Sequence, residues 1–161
     1  MNDTQTRPRI GAARVGILLL ALGTAGIHLY LFLVEGFLGN GKMLPIYQLL
    51  FVVNSLAYVI LALLLYPLAR LRSVVRTLLI AVAVASIASY FYVGVLDAVG
   101  NIDKAIEILL IVLVTVDAVT SGPEGDLAGR FASGARGAAV QLAAGVVVGL
   151  VLFLILTPFM V

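Results

Sequence analysis

The chain has a single histidine, His28, and Glu35 follows it seven residues later. That step returns a helix to the same face, with Thr24 and Leu31 along it. An imidazole steered by a carboxylate can accept and pass a proton near neutral pH. Gln48, Asn54, Tyr90 and Asp97 are polar positions in neighbouring apolar stretches, and with His28 and Glu35 they form a candidate polar cluster. Asp103, Lys104 and Glu107 follow. The three-residue step from Lys104 to Glu107 lets opposite charges pair on one helical face. Asp103 fits an N-cap, where a carboxylate meets the positive end of the helix dipole. Asp117 falls in the last turn of the same stretch, where a carboxylate opposes the dipole. Arg70, Arg72 and Arg76 are its expected ion-pair partners.

Other chemistries are excluded by count. The chain has no cysteine, so it has no disulfide, thiolate metal site or cysteine nucleophile. One histidine cannot supply a bis-histidine haem or a multi-histidine metal site. Pairing of His28 with one of Met1, Met43 and Met160, or with a cofactor shared with a partner, stays open. HExxH, paired acidic metal motifs and phosphate-cradling glycine loops are absent. We therefore expect no catalysis, no bound cofactor and no metal. The commoner use of His28 is structural, bonding Asn54 or a tyrosine hydroxyl and tying helices together.

The elements that position these residues follow from composition. Of 161 residues, 63% are hydrophobic and 11% charged, and mean hydropathy is +1.19. A soluble domain is about 45–50% apolar and about 25% charged, so this chain has too little polar surface to coat a globule in water. That excludes a soluble enzyme, a disordered tail and a nucleic-acid binder. The pI of about 9.2 reflects orientation in a bilayer instead. The expected fold is all-α, a polytopic membrane bundle.

A crossing needs about 20 mostly apolar residues. Runs of that kind are Val15 to Leu38, Pro45 to Leu68 and Val74 to Val99, followed by a shorter one from Lys104 to Val119 and a last one from Ala138 to Val161. Gly39–Lys42 and Gly100–Asn101 read as breaks, and Pro45 suits the first turn of a helix. The layout is a cytoplasmic tail over 1–14, a four-helix core over 15–119, a glycine-rich cytoplasmic loop over 120–137 and a fifth helix over 138–161. Arg7, Arg9 and Arg14 before an apolar run resemble a secretory signal, but the run continues past Ala25 to Leu38, longer than a signal core, and reads as a retained helix. With five crossings, Arg7, Arg9, Arg14, Arg70, Arg72, Arg76, Arg130 and Arg136 fall on one side, and Lys42 and Lys104 on the other. That division predicts a cytoplasmic N-terminus and an outward C-terminus.

Small residues mark packing faces in lipid. The third run carries Ala81, Ala85 and Ser89, and the fifth carries Gly145 and Gly149 in a GxxxG pattern. The plain reading is packing within the bundle; the sharper one is contact with another subunit. These features predict a small multi-pass protein of a prokaryotic plasma membrane, surrounded by lipid, that self-associates or serves as an accessory subunit of a larger complex. Two alternatives stand beside it: a small proton- or ion-coupled transporter using the polar cluster, and a cofactor-contacting subunit of a redox complex.

Overall fold

The computed structural model describes residues 11–38, 44–94, 96–121 and 134–160. Among them it is all-helical: α1 (Ala12–Leu31), α2 (Pro45–Leu64), α3 (Arg72–Val93), α4 (Ala98–Thr120) and α5 (Gly134–Leu156). A π-helical turn, Phe32–Phe37, continues α1, and short 3₁₀ turns stand at Ala69–Leu71 and Thr157–Phe159. Four of these helices are long and apolar enough to cross a membrane: α1 with its π-helical extension, α2, α3, and α5 with its 3₁₀ extension. The fourth in chain order, α4, carries Asp103, Lys104, Glu107 and Asp117, and all four are buried within the bundle. At 1.5 Å per residue its 23 residues extend about 34 Å.

Helix α2 ends at Leu64 and not Leu68, α5 begins at Gly134 and not Ala138, and three further boundaries differ from expectation near the polar residues. Helix α3 stops at Gly94, whose φ of +74° places it in the left-handed region natural to glycine. Helix α4 begins earlier than Lys104. Its N-cap is Asp97, which accepts a hydrogen bond from the Gly100 amide at 2.6 Å, so Asp103 is not the cap. Gly100 and Asn101 therefore lie inside the helix. The Tyr90 ring presses on the Cα of Gly100 so closely that a side chain there would collide with it, and this contact places a glycine in a helix interior. Thirdly, α1 ends in a π-turn in which the Leu38 amide reaches Leu33 O at 3.0 Å. Arg7, Arg9, Lys42 and Arg130 lie outside the described residues.

Helices α1 to α4 surround a core that includes Ile17, Ala21, Tyr58, Leu79 and Leu110. The fifth packs along α3 and α4. A Cβ on Gly145 would fall 2.6 Å from an Ile80 methyl, and one on Gly149 would fall 2.6 Å from the Ala81 carbonyl oxygen. The GxxxG face is thus spent on α3 of the same chain, where the two backbones nearly touch. Ala81 and Ala85 are buried on α3, while Ser89 is half-buried. The outer surface is a coat of exposed leucine, valine and isoleucine, among them Leu19, Leu63, Leu154 and Ile155. Such a continuous apolar coat suits lipid as the solvent.

Candidate functional site

Two buried polar clusters stand at opposite ends of α4, fourteen residues and so about 21 Å apart. At one end Asp117 takes hydrogen bonds from Arg14 Nε at 3.1 Å and Arg76 Nε at 2.9 Å. Arg76 also donates to Ser121 Oγ at 2.6 Å. A carboxylate at the negative end of the α4 dipole is held there by two guanidiniums, one from α1 and one from α3. Arg72 is buried and donates to Leu65 O at 3.2 Å, while Arg70 is exposed. Of the three arginines expected near Asp117, Arg76 forms the ion pair.

The other cluster is built from four helices. Thr24 and His28 lie one turn apart on α1, Asn54 and Tyr58 one turn apart on α2, Ser86 on α3, and Asp103, Lys104 and Glu107 on one face of α4. Its ionisable members are nearly sealed: Glu107 is 0% exposed, His28 and Asp103 2%, and Lys104 6%. Charges in such a place must be paired and hydrogen-bonded. The three ammonium protons of Lys104 are shared among Ser86 Oγ at 2.6 Å, Glu107 Oε2 at 2.7 Å and Asp103 Oδ2 at 2.9 Å. The second oxygen of Glu107 accepts from the Tyr58 hydroxyl at 2.8 Å. Asp103 Oδ1 accepts from the Thr24 hydroxyl at 2.5 Å. Each carboxylate oxygen has a donor.

His28 completes the arrangement. Its Nδ1 stands 2.9 Å from Thr24 O, and a carbonyl oxygen can only accept, so Nδ1 carries the proton. Nδ1 also lies 3.7 Å from Asp103 Oδ2. In the neutral ring Nε2 is then a lone pair, and among the described residues only long contacts reach it: Ser86 Oγ at 3.4 Å and Asn54 Nδ2 at 3.5 Å. Phe51 and Tyr58 flank the ring at centroid distances of 5.8 and 5.9 Å.

His28 also lines a cavity of about 270 Å³. Lys104 and Asp103 share its floor, Phe51, Leu50 and Leu156 are among its apolar walls, and Glu35, Tyr90 and Asp97 also line it. Tyr90 donates to Asn101 Oδ1 at 3.1 Å, and its ring lies 5.7 Å from the Lys104 ammonium. Glu35 and Asp97 are exposed. Gln48 stays outside this set and donates to Gly36 O at 3.4 Å.

His28, Asp103 and Glu107 each put one ligand-type atom within 4.8 Å of the others, a spacing that a cation could bridge. The Lys104 ammonium already stands on both carboxylates, so this chain supplies the cation itself. Sequence reasoning missed Thr24 as a donor to Asp103 and missed Tyr58 altogether. The available signal was the four-residue spacing Thr24/His28 and Asn54/Tyr58, two polar pairs each on one face of an apolar helix. No protein-family model, no curated protein and no solved structure matches this chain.

Proposed function

We propose that this chain is a small proton-coupled membrane carrier, with His28 as the group that takes up and releases the proton and the cavity as the solute site. The observation that carries this reading is the placement of the imidazole: Nδ1 is committed to Thr24 O, which leaves the Nε2 lone pair beside Ser86 and Asn54, and all three residues line the cavity. With both carboxylates ionised, the buried set of Asp103, Glu107 and Lys104 is one positive charge short of neutrality. A proton on Nε2 supplies that charge. Intramembrane ionisable groups beside a cavity are the usual parts of proton relays. We assign the chain no covalent chemistry and no cofactor. A purely accessory subunit would have no use for a cavity over a charged floor, and this weighs against the simplest expectation from the sequence.

In this reading α4 crosses the membrane with the other four helices. It lies beside α1 from the Asp103–Thr24 contact at one end to the Asp117–Arg14 contact at the other, so a bilayer that covers α1 also covers α4. Arg14, Arg70, Arg72 and Arg76 then face the cytoplasm, and the cavity, with Glu35 and Asp97, faces outward.

The lone histidine gives a direct test. Magnetic resonance of the full chain in lipid nanodiscs, with isotope-labelled histidine, reports one ring and no other. The expected result is a neutral tautomer protonated on Nδ1 that converts to imidazolium as pH falls while the fold persists. A neutral ring protonated on Nε2, or a ring fixed in one state throughout the folded pH range, overturns the reading and leaves His28 a helix-tying residue of the kind an accessory subunit needs.

A further inference from the structure

The cavity that His28 lines has a definite chemical character, and that character selects among ligands. Among the described residues three carboxylates line it, Glu35, Asp97 and Asp103, against one ammonium, Lys104. Among the described residues Glu35 has no ion-pair partner, and one oxygen of Asp97 is spent on capping α4. An anionic ligand would meet this surplus of negative charge, and the one ammonium in the lining, Lys104, already serves Ser86, Asp103 and Glu107. A sugar-like ligand needs many hydrogen bonds, and most of the wall is aliphatic or aromatic. A volume of about 270 Å³ suits a compact ligand.

We propose that the cavity binds a small organic ammonium ion with an apolar body, and that this ion and a proton exclude one another at His28. The inference rests on the proton-carrying reading of His28 and names the solute class that reading left open. The apolar body lies among Phe51, Leu50 and Leu156. The ammonium donates to His28 Nε2, within reach of Asn54 and Ser86, while the Asp103 carboxylate behind the ring supplies the countercharge. Aromatic side chains in the cavity lining, Tyr90 and Phe51, favour a cation over a neutral molecule, and low polarity in the cavity strengthens the attraction. Nε2 holds a proton or accepts from the ammonium, never both, so amine and proton exchange one for one. That stoichiometry is the coupling an antiporter needs.

The groups facing His28 fix how this depends on pH. From α4 these are Asp103, Lys104 and, one turn further, Glu107; from α2, the Tyr58 ring and Asn54; from α3, Ser86, which does not titrate; and from the end of α1, Glu35 at the cavity wall. In this proposal His28 Nε2 is the atom to which the ammonium donates, so its proton is the one the amine displaces.

The test is calorimetric titration of the full chain in detergent or nanodiscs with benzylammonium, benzyl alcohol and benzoate, in two buffers of different ionisation enthalpy. The expected result is saturable binding of benzylammonium at least about tenfold tighter than of benzyl alcohol, none of benzoate, and release of one proton per amine below the titration point of the ring. The exposed variants Glu35→Gln and Asp97→Asn, the second of which keeps a capping side chain, should each weaken the amine by about threefold to tenfold. His28→Gln should abolish the proton release. Absence of saturable benzylammonium binding up to millimolar ligand, or equal affinity for the alcohol, overturns the proposal. If His28 titrates as expected and no amine binds, the solute class is wrong and the proton-carrying reading stands. If amine binds with no proton release, the exchange is wrong.

Discussion

Replacing Lys104 with methionine keeps the length and the apolar stem of the side chain and removes only its charge and donors. Three bonds are lost, to Ser86 at 2.6 Å, Glu107 at 2.7 Å and Asp103 at 2.9 Å. What remains is two carboxylates, 0% and 2% exposed, on one helical face with no cation between them. Breaking a buried ion pair by deleting one partner costs about 3–5 kcal/mol, because the remaining charge is stranded. Lys104→Met should therefore lower the folded-to-unfolded ratio by at least about a hundredfold. The double variant Lys104→Met, Glu107→Gln removes one stranded charge and should recover more than half of the loss, although the surviving carboxamide and Tyr58 must then share one hydrogen bond. Unfolding of the three proteins in mixed micelles, followed by helical circular dichroism, gives the required cycle. A Lys104→Met protein within about 0.5 kcal/mol of the parent, or a double variant less stable than the single one, would refute the account of Lys104 as the cation that makes this cluster tolerable.

The other expectations use the same unfolding assay. Tyr58→Phe leaves Glu107 Oε1 without its donor and should cost about 1–3 kcal/mol; Thr24→Val, which deprives Asp103 Oδ1, should cost a similar amount. Asp117→Asn removes the countercharge that Arg14 and Arg76 share and should destabilise by several kcal/mol, about 3–5 at the upper end, whereas Arg70→Gln at an exposed position should stay within about 0.5 kcal/mol. Gly149→Val should cost about 1–3 kcal/mol because its Cβ meets the backbone of α3, while Gly23→Ala, with open space around its Cβ, should be neutral or stabilising.

Short-range features were legible in the sequence; of the long-range contacts, Asp117 with Arg76 and His28 with Asn54 were expected and the rest were not. Lys104 and Glu107 pair because a three-residue step dictates it, and Pro45 opens α2 because its missing N–H costs nothing there. The close approach of Gly145 and Gly149 to another helix also follows from their spacing. The start of α4 did not follow. Gly100 and Asn101 resemble a break, but the Asp97 cap starts the helix before them and the Tyr90 ring of the preceding helix packs on Gly100. Likewise, Asp103 meets Thr24 across 79 positions and Tyr58 meets Glu107 across 49. No periodicity within one segment can express a pairing between helices, so members such as His28 and Glu107 were visible singly while Tyr58 and the union of the set were not.

The π-turn at the end of α1 has a consequence for how the chain tolerates change in length. Elsewhere in a helix of this bundle, loss of one residue swings everything beyond it by about 100° and turns buried groups toward lipid. Between Phe32 and Phe37 the helix already holds one residue more than an α-turn requires. A deletion there can be absorbed by tightening to ordinary pitch, leaving His28 and the groups before it undisturbed. The segment that carries Glu35 can thus be shortened while the buried charges below keep their register.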